Sequence, residues 1–186
     1  MDLVEITEKK YSVYVDLAYA KNKNFTGKKI YLQNKCYIHK DALPRLLSAI
    51  LIAHSLGYTF RIYDAYRPID AQKVLWEFFP DKNFITPPNI GSPHSRGIAI
   101  DLTLMKNNKV LDMGTKFDYL YKESHHGNTD IPKIAQKNRL ILLGIMTAAG
   151  WDYYENEWWH YQLHNSKTWP LITKPEDNID IMKKEK

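Results

Sequence analysis

The sequence predicts an α+β fold, a single compact domain over residues 1–186 with a mainly antiparallel sheet flanked by helices. Three observations carry this. Helical and strand-like periods follow one another without the regular strand–helix–strand repeat of a parallel sheet. Ile98–Met105 alternates in polarity and is followed by Asn107-Asn108, a dipeptide suited to turning a hairpin. Trp151–Tyr154 and Trp158–Leu163 form a closing pair of extended segments. With 186 residues and 44% hydrophobic content, the chain can bury a sizeable core.

In order, residues 11–19 alternate (Tyr11, Val13, Val15 and Leu17 against Ser12, Tyr14 and Asp16), which predicts a half-buried strand. Asp41 is placed to cap a helix that carries Pro44 in its first turn. Leu43, Leu46, Leu47, Ile50, Leu51 and His54 follow at helical spacing until Gly57. Tyr58–Tyr63 returns to strand character. Pro68–Phe79 reads as a second helix with Ala71, Val74, Leu75 and Phe78 on one face and Pro80 beyond its end. Residues 81–91, with Pro87, Pro88 and Gly91, form a loop. Asp130 and Pro132 open a long helix whose apolar positions include Ile134, Leu140, Ile141, Ile145 and Ala149, and Gly150 ends it. Residues 175–186, finishing in Lys183-Lys184-Glu185-Lys186, are expected to be a flexible tail.

Composition narrows the function. The net charge of +5 comes from 26 basic and 21 acidic residues spread along the chain. The terminal lysines are a frayed end rather than a nucleic-acid patch, so no nucleic-acid partner is expected. A basic balance suits small anionic or zwitterionic substrates. Cys36 is the single cysteine, which excludes an intramolecular disulfide and a thiolate metal cluster; its neighbours Tyr31, Leu32, Tyr37 and Ile38 predict a buried, inert thiol. No apolar run reaches the length of a membrane span, and Met1–Glu5 lacks the pattern of a signal peptide. The expected compartment is the cytoplasm. Oligomeric state is left open. Thirteen tyrosines and five tryptophans suit thick aromatic packing or a pocket with flat, rigid walls.

The chemistry-bearing residues sit in two short segments, Ser92–Asp101 and Glu157–His160. His94 and Asp101 are separated by Gly97, which can bend the chain, and Asp101 shares a strand face with small Ala99. His160 would complete a set of two imidazoles and a carboxylate, the coordination that leaves catalytic zinc an open position to activate a water. Glu157 would be the base that takes the water's proton. On a regular strand Glu157 and His160 face opposite ways, so a bulge, or a turn holding Glu157, must aim both at one ion. Glu-x-x-His alone is a weak signal; the joint pattern is far more specific. No His-Glu-x-x-His helix, Gly-x-Ser-x-Gly elbow or glycine-rich phosphate loop competes with it.

Beyond these segments the chain carries Asp16-Leu17-Ala18-Tyr19-Ala20, Asn24-Phe25-Thr26-Gly27, Asp64-Ala65-Tyr66-Arg67-Pro68, Asp112–Asp118 and Glu157-Trp158-Trp159-His160-Tyr161. In this order, over nearly the whole chain, they resemble the zinc D-alanyl-D-alanine dipeptidases of the VanX type. That family lies within a wider group of D-Ala-D-Ala carboxypeptidase-like and hedgehog-like proteins. The resemblance implies one Zn2+ per chain held by His94, Asp101 and His160, with Glu157 as catalytic base and Arg67 stabilising the oxyanion. It further implies that Tyr19 and Asp118 hold the free ammonium of a small dipeptide, D-Ala-D-Ala, and that Ser92 lies near its carboxylate. A carboxylate such as Asp118, paired with that ammonium, would reject longer peptides. The rival readings are a related carboxypeptidase or endopeptidase acting on peptidoglycan peptides, a non-catalytic binding protein that kept its metal cage, and a non-haem iron enzyme. Glu157 and Arg67 disfavour the second, and Glu157 would have no role in the third. His39, His54, His125, His126 and His164 need no metal; His54 is expected to pack, and His125-His126 to lie in a solvated loop.

Overall fold

The computed structural model describes residues 2–175 and 179–184. Among them run β1 (Leu3–Ile6), α1 (Glu8–Tyr11), β2 (Tyr14–Val15), β3 (Cys36–His39), α2 (Leu43–Ser55), β4 (Thr59–Asp64), α3 (Ile69–Phe78), β5 (Ala99–Lys106), β6 (Lys109–Val110), α4 (Lys133–Ala148), β7 (Asp152–Tyr153) and β8 (His160–Gln162). The expected α+β class is what forms. A six-stranded sheet runs β2-β4-β5-β8-β7, with β6 also paired to β5, and β1 and β3 make a separate antiparallel pair. Only the β2–β4 pairing is parallel among the described strands.

Register across this sheet is what gathers the polar residues. β5 lies between β4 and β8, with Asp101 opposite His160 on one side and Asp64 on the other. The β4–β5 ladder shifts register between Ile62 and Asp64, which brings Asp64 level with Asp101. β5 is buried from Ala99 to Met105, covered on both faces. α2 packs on β4 and on α4, burying Leu46, Ala49, Ile50 and Ala53.

Several sequence expectations change in the folded chain. Only Tyr14–Val15 of residues 11–19 joins a ladder; Tyr11 ends α1, capped by Thr7, and Ala18–Ala20 form a 3-10 turn. The alternation in that stretch reports burial of Tyr11, Val13 and Leu17 along an irregular path, which imitates a strand. Asp41 does not cap α2: Ala42 precedes it without a side-chain cap, and the Asp41 carboxylate faces His39 instead. Leu47 and Leu51 on α2, and Ile134 and Leu140 on α4, are exposed. α4 instead buries Asn138 and Arg139, because its inner face meets a loop whose carbonyls need donors. His54 is exposed rather than packed.

The expected flexible tail over 175–186 is also corrected. Residues 176–178, 185 and 186 lie outside the described residues, but 179–184 are docked. Ile179 and Ile181 are buried in the core, and Ile181 O accepts from Leu32 N (2.8 Å) and Gln33 N (3.2 Å). Two isoleucines two positions apart outweigh the charged residues around them. Cys36 is buried as expected, and burial pushes its thiol pKa up, which leaves it unreactive. No helix among the described residues is long and apolar enough to cross a membrane.

Candidate metal and peptidase site

His94 opens a 3-10 turn, His94–Arg96, that Gly97 ends at φ 70°. A Cβ at Gly97 would lie 2.8 Å from Leu3 Cδ2 and 3.2 Å from His39 N, so both the backbone angle and the close approach to β3 require glycine. Arg67 N donates to His94 O (3.1 Å), tying this turn to the end of β4. The turn swings the His94 imidazole back over β5, and strand register supplies Asp101 and His160.

The three side chains meet. Asp101 Oδ1 lies 3.3 Å from His94 Nε2 and 3.0 Å from His160 Nδ1, and the two imidazole nitrogens are 3.1 Å apart. The outward nitrogen of each ring is engaged: His94 Nδ1 with Ala65 O (2.7 Å), His160 Nε2 with Gln162 Oε1 (3.1 Å). With those nitrogens donating, His94 Nε2 and His160 Nδ1 face inward as lone pairs, the arrangement a metal-ligating histidine needs. Burial works against a charged Asp101, yet the two imidazoles, when they carry charge and donate to it, hold its carboxyl below the usual range. This buried trio could hold a metal ion.

Glu157 sits in the turn between β7 and β8, which decides between the two routes left open by sequence. Glu157 N donates to Tyr154 O (3.2 Å), and Glu157 O accepts from His160 N (3.3 Å). This turn carries the carboxylate to 3.9 Å from His160 Nδ1 without a bulge. Burial pushes the Glu157 pKa up to about 8, against the pull of His160.

Arg67 is buried, with Nε donating to Asp64 Oδ2 (2.8 Å) and Nη1 to Gln72 Oε1 (2.9 Å), while Nη2 lies 3.6 Å from Asp101 Oδ2. Asp64 is fully buried and also accepts from Tyr31 OH (2.8 Å). The guanidinium is therefore held as a rigid fork beside the trio. Tyr19 OH donates to Asp118 Oδ1 (3.2 Å), and Asp118 Oδ2 is shielded from solvent without a partner. Burial, reinforced by the charge of Asp101, raises the Asp118 pKa well above its usual value. Ser92 is buried and its Oγ accepts from His94 N (3.2 Å). All eight residues singled out in the sequence line one cavity of about 290 Å3.

Sequence reading missed the supports. Asp64 stands three residues before Arg67, and Gln162 two after His160 on the same strand face; both spacings could have revealed them. Arg139 on α4 carries no sequence signal of its role. It donates to Met113 O (2.7 Å), Glu123 O (2.9 Å), His125 O (3.2 Å) and Thr115 Oγ1 (3.2 Å), and so fixes the loop that carries Asp118.

The Glu157 turn is clamped by residues 124–126 through Trp158 N to Ser124 O (3.0 Å) and His126 N to Glu155 O (2.8 Å). His126 is not solvated as expected; its ring packs on Tyr153 at 5.1 Å between centroids. Burial, helped by the charge of Arg139, pushes its pKa down from 6.5 to about 4. Between those values the unfolded chain binds the proton more readily, so stability falls as the pH falls through this window. Urea unfolding of the wild type and His126→Gln should show it. Between about pH 7 and about pH 4.5 the wild type should lose about 1–2 kcal/mol more than the variant. Parallel profiles would remove His126 as the source.

Comparison with known proteins agrees with this geometry. The chain is 45% identical over 159 residues to the D-alanyl-D-alanine dipeptidase of Escherichia coli (strain K12), covering 85% of this chain and 82% of that protein. It is 34% identical over 180 aligned positions to the D-alanyl-D-alanine dipeptidase of Enterococcus faecalis (strain ATCC 700802 / V583), covering 85% and 89%. The protein of the same description from Enterococcus faecium is 34% identical over 177 positions, covering 83% and 88%. A family model described as D-ala-D-ala dipeptidase matches residues 1–175. With a family match over nearly its full length, and with two imidazoles, a carboxylate and a further glutamate in one cavity, the chain belongs to the D-ala-D-ala dipeptidase family of peptidases, Peptidase M15.

Proposed function

We propose that the chain is a zinc-dependent dipeptidase that hydrolyses free D-Ala-D-Ala to two D-alanines, in the turnover of a cell-wall precursor or in glycopeptide resistance. The observation that carries this reading is the meeting of His94, Asp101 and His160 with a separate carboxylate, Glu157, beside them. Tetrahedral zinc with ligands at 2.0–2.1 Å would space them roughly 3.3 Å apart, and the three donors here lie 3.0–3.3 Å from one another. Two imidazoles and a carboxylate are also the N/O donors that catalytic zinc takes. A zinc ion bound there would supply Lewis acidity and an acidified water.

The chain's own residues do the rest. Glu157 accepts the attacking water's proton and returns it to the departing amine; its carboxylate, 3.9 Å from His160 Nδ1, is placed for that shuttle. Arg67, held by Asp64 and Gln72, presents a fixed positive charge to the developing oxyanion. Asp118, with its unpartnered Oδ2 and its bond to Tyr19, receives the substrate ammonium, and Ser92 lies by the carboxylate end. A cavity of about 290 Å3 suits a ligand of dipeptide size.

Purified protein is expected to cleave D-Ala-D-Ala, to leave L-Ala-L-Ala and N-acetyl-D-Ala-D-Ala largely intact, to lose activity with a chelator and to regain it with zinc. Turnover undiminished after complete metal removal would sink the zinc reading. Faster cleavage of the acetylated peptide than of the free one would favour a carboxypeptidase.

A further inference from the structure

A second, more open cavity of about 750 Å3 adjoins the first, and Asp118 and Phe25 line both. Asp118 adopts φ 59°, in the left-handed region that residues with a Cβ rarely occupy. Aspartate is one of the residue types that tolerates this conformation, and here it sets the direction of the side chain. Its neighbour Phe117 is braced by stacking on Tyr63 (4.8 Å between centroids) and edge-on contact with Trp159 (5.3 Å). The carboxylate therefore stands as a fixed post where the two spaces meet.

The second cavity carries polar and charged groups of its own. Thr103, two residues beyond Asp101 on β5, lines it and leaves a fully buried hydroxyl without a partner. Lys21, Lys23, Arg61 and Lys116 also line it, against Asp16, Asp112 and Asp118 itself. Lys21 and Arg61 are paired with Asp16, while Lys23 and Lys116 are exposed.

We propose that Asp118 is a specificity-determining partition: it shuts the zinc cavity off from a ready-made cationic groove, and with it removed the two form one cleft accepting N-terminally acylated, preferably anionic, dipeptides. This rests on the dipeptidase reading and deepens it. Exclusion of longer peptides then comes from the wall as well as from the charge. The peptide bond cleaved and the water consumed are unchanged; only the group on the substrate nitrogen differs, and it lies over Thr103 towards Lys23 and Lys116.

The test compares wild type, Asp118→Asn and Asp118→Gly, all zinc-loaded, on D-Ala-D-Ala, N-acetyl-D-Ala-D-Ala and N-succinyl-D-Ala-D-Ala. Asparagine keeps the wall and removes the charge; glycine removes both and adopts the required φ without strain. Both variants should lose at least about tenfold in kcat/KM on the free dipeptide. Asp118→Gly, unlike Asp118→Asn, should gain on the acylated substrates, exceeding Asp118→Asn by about tenfold or more, with the succinyl compound preferred and that preference fading at high salt. Asp118→Ser is made alongside, so that poor folding of one small-residue variant leaves the other to decide. Equal behaviour of Asp118→Asn and the small-residue variants on acylated substrates overturns the partition. Wild-type inactivity on free D-Ala-D-Ala overturns the dipeptidase reading and this inference together; wild-type activity with no gain in either small-residue variant overturns this inference alone.

Discussion

Replacing Glu157 by alanine is expected to lower kcat by about 10³–10⁴-fold, the scale of a lost general base, while the protein keeps one equivalent of zinc. The two halves of this result come from different parts of the geometry. The trio that could hold a metal ion is His94, Asp101 and His160, and Glu157 is absent from it. Its Oε2 lies 3.9 Å from His160 Nδ1, beyond hydrogen-bonding distance of that imidazole yet close enough to reach a water that a metal ion held by the trio would bind. Stopped assays on D-Ala-D-Ala with parallel metal analysis separate the two effects. Near-normal turnover with zinc retained would remove Glu157 as the base. Loss of zinc together with activity would make it a ligand.

Arg67→Ala is expected to lower kcat by about 10²–10³-fold, as for loss of an oxyanion donor, with little change in the affinity for the dipeptide. It carries a second cost that Glu157→Ala lacks. Asp64 is fully buried and accepts from Arg67 Nε and Tyr31 OH. Without the guanidinium its charge is stranded, which costs about 3–5 kcal/mol when one partner of a buried pair is removed. Urea unfolding should therefore show a marked loss of stability in the same variant. Arg67→Lys keeps a charge near Asp64 but cannot bridge Asp64 and Gln72 at once. It should recover most of the stability and little of the rate. A variant that changed only KM, with kcat intact, would contradict the transition-state role.

Much of the site was legible in the sequence because its residues fall in short, unusual strings. Gly97 between His94 and Asp101, and Trp158-Trp159 between Glu157 and His160, mark turn and strand positions that local chain geometry alone makes suggestive. The supports were hidden. Arg139 lies on a helix at a position where charge ordinarily faces water; only packing against the carbonyls of Met113, Glu123 and His125 turns it inward. Asp118 stands out in the sequence only through the family resemblance, and neither its left-handed backbone nor its place between two cavities has any local signature. The apolar residues at 134 and 140, and at 47 and 51, mislead for the same reason: a helix shows a pattern, and its neighbours decide which arc of that pattern is covered.

By itself, then, the amino-acid order determined the α+β class, the strand that carries Asp101 and eight candidate residues of the cavity, because period, residue type and short motifs are local properties; Gln72 and Gln162 in the same cavity went unread. Tertiary structure decided the register that sets Asp101 opposite His160, the turn that aims Glu157, the burial that raises its pKa and the docking of Ile179 and Ile181. These depend on contacts between segments up to about a hundred and fifty residues apart, as between Gln33 and Lys183. Distances and desolvation exist only once such segments have met.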